Sequence, residues 1–468
     1  MTRREILGGA LLGAQVVLLA ACGGDDDEDA AQPRAAPDAP QASAPEAPQA
    51  SVPKVARTPV TLRLAATLDG YGTPIDDAIE RWNAGAVPGA PEDVQLERVR
   101  VNIARPRDPL ELIKGAQVAL SAFLSEQDSA GTPPDLLLVS IFFDIPWVLR
   151  SGLVQPIDRY LQQDRSEPSE KFLPPALELV RYQSQTMALP IALEAGVARY
   201  KAKQFADAGL PSPEKGWTRE EFVAASQELT EDTDSDGTVD KWGFNPNKYF
   251  VSWLPFVLQE LDKDVFDPNT GAVRLTDPAA LRGLQFWDEL GRVHGIMPHG
   301  ATVTADQFDV DFTFLLNGIL FYRYVPPSNM LAGQQAPLPA GPRDVTPLSV
   351  SRAVAIPSVA PDPALSYEVL KPFALDLGSR LLMPPVIAGQ QHIEKPSTGY
   401  LELMLPPEDR GLVFHLLDTA RPSQLASSFS MAIELFERLT LPLARGEMDV
   451  VQAAQRGQDW LESNLNEP

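Results

Sequence analysis

The chain predicts an α/β fold, and three observations carry that reading. From Val60 onward, short β-branched or apolar runs alternate with amphipathic helical patterns. The run Asp135 to Val139, bounded by Pro133-Pro134, is apolar on both faces, as a buried parallel strand is. At 468 residues, 44% hydrophobic and 22% charged, the chain buries a large core and exceeds one ordinary domain, so two are expected.

Val60 to Leu64 reads as the first strand and Ile75 to Trp82 as the helix after it; Val94 to Val101 is a second strand, followed by a helix near Leu110 to Leu124. Asp135 to Val139 completes a strand, helix, strand, helix, strand series. Further helices are expected at Lys201 to Ala208, Thr218 to Leu229, Asp277 to Val293 and Ala305 to Leu316. Thr218 followed by Glu221 has the spacing of a capping box. The final hundred residues read as mostly helical, with Asp449 to Leu461 the last clear segment, and no internal repeat is visible.

A formal net charge of −24 without a basic stripe repels phosphate backbones and argues against nucleic acid as a partner. Only 4 His and a single Cys leave no intramolecular disulfide and no ordinary Cys/His zinc site. That cysteine closes an N-terminal segment with two arginines, a largely apolar run from Ile6 to Leu19, then Ala20-Ala21-Cys22. The segment has the three regions of a secretory signal, residues 1–21, and Leu19-Ala20-Ala21-Cys22 resembles a bacterial lipobox, with Cys22 the lipidated residue. The alternative is a signal peptide that happens to end near a buried cysteine. Thr2-Arg3-Arg4-Glu5-Ile6-Leu7 also resembles a twin-arginine export signal, although paired arginines occur in ordinary signals too. Residues 22–59, with the run Asp25-Asp26-Asp27-Glu28-Asp29 and a Pro/Ala-rich stretch, have too few large apolar side chains to offset ordering entropy; they read as a disordered tether. No later run approaches the roughly 18 apolar residues a membrane span needs, so an anchored, extracytoplasmic protein is expected.

A series of landmarks runs along the chain: Pro134-Asp135-Leu136-Leu137, then Ser151-Gly152-Leu153-Val154-Gln155-Pro156-Ile157-Asp158, then Arg181-Tyr182 leading into Ala188-Leu189-Pro190-Ile191-Ala192-Leu193-Glu194-Ala195. Phe205 to Leu210, Gly216-Trp217-Thr218 to Phe222 and Asp234 to Phe244 continue it. In these residues and their order, from Val60 to the C-terminus, the chain resembles the extracellular solute-binding proteins of ATP-binding-cassette importers, in the carbohydrate-binding branch typified by maltose-binding protein. The chain departs where Tyr200-Lys201 replaces a family Tyr-Asn; Ser328 falls near a sugar-stacking tryptophan, and Phe429 is the nearest aromatic to another. The resemblance implies a two-lobed, type II-like periplasmic-binding-protein fold with a hinge. Its lobes are expected to comprise residues 60–170 plus 300–348 and residues 171–299 plus 349–468. It further implies a monomer that binds a sugar or oligosaccharide and delivers it to permease subunits. No Gly-x-x-x-x-Gly-Lys-(Ser/Thr) is present, so the ATPase is a separate chain.

A sugar cleft needs acids or amides for hydroxyls and flat aromatics for ring faces. Asp69 and Tyr71 follow the first strand, where a glycine-rich turn with a solvated Asp is the alternative. Phe143 and Asp144 lie in Phe142-Phe143-Asp144-Ile145-Pro146-Trp147, with Trp147 read as core. Glu194 stands among apolar residues and needs partners, either ligand hydroxyls or a cation such as Arg199. Tyr249 and Phe250 match sugar-contacting aromatics of the resembling protein, with core packing the alternative. Tyr322 and Tyr324 share one strand face and Phe321 takes the other. Asp232, Asp234, Asp236 and Asp240 have the spacing of a calcium loop, but Gly243 replaces the glutamate at its twelfth position, so a solvated acidic turn is the competing reading and no other cofactor is expected. Two other functions fit the same residues: a secreted carbohydrate-active enzyme using Asp144 and Glu194 as its carboxylate pair, and a sensing lobe for a signalling partner. The common serine-hydrolase and zinc-protease motifs are absent.

Overall fold

The computed structural model describes residues 58–66, 75–104, 109–140, 143–164, 170–246, 251–308, 314–319, 334–381, 384–387 and 410–465. In chain order its main elements are β1 (Val60–Ala66), α1 (Ile75–Asn83), β2 (Val94–Arg100), α2 (Pro109–Ser129), β3 (Leu136–Ser140), α3 (Ile145–Arg150) and α4 (Pro174–Glu178). There follow β4 (Arg181–Tyr182), β5 (Gln185–Thr186), β6 (Ala188–Tyr200), α5 (Arg219–Glu228), β7 (Phe244–Asn245), α6 (Leu254–Leu258), α7 (Pro278–Arg292), β8 (Phe314–Ile319) and β9 (Gln334–Ala336). The chain continues through β10 (Thr346–Ala355), α8 (Pro363–Gly378), α9 (Arg410–Asp418), β11 (Ala420–Pro422), α10 (Phe429–Leu435) and α11 (Val450–Leu465).

The fold class is α/β, as the alternating pattern predicts. One path of strands runs β2-β1-β3-β10-β6-β8-β7, with β11 beside β10 and β9 beside β6. Pairing is parallel among β2, β1 and β3, between β7 and β8 and between β10 and β11. The long strands β10 and β6 run antiparallel to each other, β10 to β3, and β6 to β8 and β9.

Two-residue periodicity distributes the side chains of the β2-β1-β3-β10-β6 part to both faces. Leu62, Leu64, Leu136, Leu138, Leu189, Ile191 and Val354 meet α1 and α8 on one face. Ala65, Leu137, Val139, Leu193 and Ala353 meet α2, α3, α4 and α9 on the other. Within the first layer, Trp82 donates its indole N–H to the Val94 carbonyl at 2.9 Å, so burying it leaves no unmet donor. A further core begins where β6 ends, at Ala198 and Tyr200, and is built by α5, α6, α7, α10 and α11. Its buried tryptophans are also satisfied, Trp253 by the Thr440 hydroxyl and Trp287 by the Ser252 hydroxyl, each at 3.1 Å.

The capping box at α5 forms as its spacing predicts: Thr218 Oγ1 accepts from the Glu221 N–H at 3.2 Å, and Glu221 Oε2 accepts from the Thr218 N–H at 2.7 Å. One expectation is corrected. The helix expected from Ala305 to Leu316 is a single 3-10 turn, Ala305–Phe308, and then strand β8, because Phe314 to Ile319 pairs edge to edge with β6. In the packing of the cores, Val303, Phe308, Ala336, Leu338 and Val345 join the helical core, whereas Val354, Leu370 and Phe373 join the β1–β3 core. Antiparallel pairing of β10 with β3 returns the chain to the first sheet and lays α8 over it.

Helices α6 and α7 approach so closely that a Cβ on Gly283 would lie 2.6 Å from the Val257 Cα. Gly283→Ala is therefore expected to destabilise the protein by about 1–3 kcal/mol through overpacking. Denaturant titration checks this, and an unchanged midpoint would mean the two helices separate freely.

Candidate functional site

Glu194 lies in β6, whose thirteen residues are all buried. Its backbone carbonyl accepts the Ser349 hydroxyl at 3.3 Å from the adjacent strand β10. The β6–β10 register shifts on both sides of Arg352, and the irregularity brings Ser351 and Arg352 to the Glu194 carboxyl. Burial pushes that carboxyl up to about 7, against the opposing pull of the Arg352 charge and a hydrogen bond from Ser351. Arg352 is thus a cation whose charge acts on the Glu194 carboxyl.

Asp144 is also fully buried. It caps α3 from a positive φ of 59°, a conformation costing a non-glycine residue about 1–3 kcal/mol and kept only where surrounding contacts fix it. Those contacts are identifiable. One carboxylate oxygen accepts the Trp147 N–H at 3.4 Å. The other accepts the Ser428 hydroxyl at 2.7 Å and the Ser430 hydroxyl at close range. Burial raises the Asp144 pKa, and the two serine hydroxyls and Arg150 oppose the rise. Ser428 also accepts the Met431 N–H at 3.2 Å as the N-cap of α10.

Phe143 is fully buried and clusters with Val139, Ile145 and Val148. Trp147 is partly buried against the same core, and Trp253 is wholly inside the helical core. Asp69, Tyr71, Tyr249, Phe250, Tyr322, Tyr324 and Cys22 lie outside the described residues. Sequence reading missed Ser351, Arg352, Ser428 and Ser430. Only Ser428 leaves a local signal, a serine one residue before a helix; the others acquire meaning through pairing across the fold.

In the acidic turn, Asp232, Asp234 and Asp240 can bring one carboxylate oxygen each within 4.8 Å of the others, the one such group among the described residues. Their carboxylates also accept hydrogen bonds within the turn itself. Asp232 accepts the N–H groups of Asp236 and Gly237 at 3.2 and 2.8 Å, and Asp240 accepts the Thr233 N–H and hydroxyl at 2.7 and 2.6 Å. Asp236 accepts the Thr238 N–H at 2.7 Å, turned into the loop.

A cavity of about 680 Å³ lies elsewhere, bordered by Glu178, Arg181, Asp264, Arg274, Arg421 and Gln424. Asp264 accepts the Gln424 N–H at 2.8 Å, and burial pushes its carboxyl up to about 6.

The family profile described as bacterial extracellular solute-binding protein matches residues 124–371, just over half of the chain. The chain belongs to this family. No curated protein matches this solute-binding protein by sequence. Among solved structures, the cyclic alpha-maltosyl-1,6-maltose binding protein from Arthrobacter globiformis is similar at TM-score 0.63 and 17% identity, covering 88% of this chain and 100% of its own. The substrate-binding protein Lmo0181 from Listeria monocytogenes, in complex with cycloalternan, has TM-score 0.56 and 13% identity, covering 88% and 99%. UgpB from Mycobacterium tuberculosis, in complex with glycerophosphocholine, has TM-score 0.58 and 15% identity, covering 87% and 98%. At these identities the likeness establishes the two-lobed fold.

The Glu194 carboxyl gives the solute-binding protein a defined pH dependence. Its folded pKa, about 7, exceeds the ordinary 4.5. Between those values the folded chain holds a proton that the unfolded chain has released, so stability falls as pH rises. Glu194→Gln is expected to remove a component on the order of 3 kcal/mol from that fall. Unfolding free energies of both proteins across the window check this; parallel curves would contradict it.

Proposed function

We propose that this chain is a lipid-anchored receptor that captures a sugar or oligosaccharide between its two lobes and hands it to the permease of an ATP-binding-cassette importer whose ATPase is a separate chain. The observation that carries the reading is Glu194: a buried acid on the strand shared by both cores, within Pro190-Ile191-Ala192-Leu193-Glu194-Ala195. A carboxyl there can accept a ligand hydroxyl in a water-poor setting, where an unmet polar group is costly. Asp144 supplies a second acceptor when the lobes part, and Asp69, Tyr71, Tyr249, Phe250, Tyr322 and Tyr324 are proposed as the remaining contacts. The oligosaccharide-binding proteins among the similar structures support the ligand class, and UgpB with its phosphodiester ligand marks how far that class extends. Closure around the solute creates the surface that a permease reads.

Isothermal titration with maltotetraose and a panel of other oligosaccharides and polyols is expected to yield a partner of micromolar or tighter affinity. Glu194→Ala should weaken it at least tenfold, since a buried hydrogen bond to a charged group contributes about 1.5–3 kcal/mol. Binding by nothing in the panel would defeat the proposal, and release of reducing sugar from a glycan would move it to the carbohydrate-active enzymes.

Anchoring rests on Leu19-Ala20-Ala21-Cys22, and no described helix is long and apolar enough to cross a membrane. Mass spectrometry of the exported protein is expected to find Cys22 as the acylated N-terminus, with Cys22→Ala released from the membrane fraction. An unacylated wild-type N-terminus would refute the anchor. The Asp232 to Asp240 turn is read as a solvated loop whose carboxylates serve its own amides, so calcium should leave the melting midpoint unchanged; a chelator-reversible rise would make it a calcium site.

A further inference from the structure

We infer that Asp144, Ser428 and Ser430 form a latch between the two cores, in which serine hydroxyls occupy the carboxylate that a ligand would use. The role of the latch in binding rests on the reading of Asp144 as a ligand contact; its existence as a tie between cores does not.

The two sides of the contact belong to separately packed units. Asp144 is flanked by Phe143 and Ile145, which pack with Val148 and Leu149 in the core against β3. Ser428 and Ser430 open α10, whose Met431, Ala432 and Leu435 pack in the helical core. The partners are 284 and 286 residues apart in sequence. They bring together an acceptor with no donor of its own and two hydroxyls able to supply donors. A second tie joins the same cores nearby, as Lys114 of α2 reaches Glu434 of α10 at 3.5 Å.

Asp144 is fully buried and Ser428 is 1% exposed. No solute reaches that carboxylate until α10 moves away from the α3 N-terminus. When it does, a ligand hydroxyl and a serine hydroxyl make the same kind of bond to the same oxygen, so the exchange conserves hydrogen bonds. The ligand thus competes with the chain's own serines, and affinity depends on how often the latch is open. The positive φ of Asp144 fits this role, since the strained backbone holds a carboxylate that caps its own helix with one oxygen and reaches the serines of α10 with the other.

The test reads the separation of the cores without any sugar. Spin labels at Val118→Cys on α2 and Val451→Cys on α11, positions 71% and 58% exposed, report the distance between the two units in the full chain with Cys22→Ser. Ser428→Ala with Ser430→Ala is expected to lengthen the distance distribution, raising the ratio of open to closed molecules about tenfold or more. Ser366→Ala removes a buried hydroxyl that bonds within its own helix, to the Asp362 carbonyl at 2.9 Å, and should leave the distribution unchanged. If the double variant does not fold, Ser430→Ala alone gives the reading. A distribution identical to the parent's overturns the latch, as does equal lengthening by Ser366→Ala. Maltotetraose titration is a separate arm. Tighter binding by the serine variant would support competition at Asp144; weaker binding would make the serines ligand contacts and overturn it. Absence of binding to either protein would strike the sugar reading while the distances still decide the latch.

Discussion

Strand β6 carries thirteen consecutive buried residues, so its backbone groups lie largely out of reach of water. Every N–H and C=O along it has to be met by a neighbouring strand. Its first part is met by β10 and its second by β8 and β9, so one extended segment belongs to two sheets with different cores. The same crossing places Glu194 at the boundary, one residue before Ala195, which pairs with Leu348, and two before Gly196, which pairs with Ile319.

Residues 423–430 answer a similar demand with side chains. The Ser423 N–H bonds the Leu348 carbonyl, Ser427 Oγ accepts the Val350 N–H, and the Gln424 N–H reaches Asp264. The Gln424 amide meanwhile contacts the Glu178 and Leu179 carbonyls, and Ser428 binds Asp144. One short segment therefore bonds to β10, to the helical core and to the core around α3 and α4. Small hydroxyl side chains suit this place, because each adds a donor while adding little bulk to a crowded junction.

The early strands and helices were legible because their signals are local. Apolar period and flanking prolines identify β3, and the Thr218–Glu221 pair identifies the start of α5 within a residue. Phe314 to Leu316, read as the end of a helix, instead opens strand β8 because β6 offers it an edge. Glu194 was legible as an acid in an apolar run that must have partners. Which cation it faces was not, since Arg352 is 158 positions away and is brought near by irregular pairing of two strands. Phe143, an aromatic beside an acid, has the composition of a sugar site, and its burial with Val139 was not legible from that composition.

By itself, then, the sequence determined what depends on neighbours along the chain: the α/β class, the order of family landmarks, and Glu194 as a polar group in need of partners. The tertiary structure decided what depends on residues meeting across hundreds of positions: which segments share a core, that Arg352 opposes Glu194, and that Ser428 and Ser430 reach Asp144. The reason is physical. Periodicity and capping act within a few residues, whereas satisfying a buried charge draws on any donor that packing brings within about 3 Å of it.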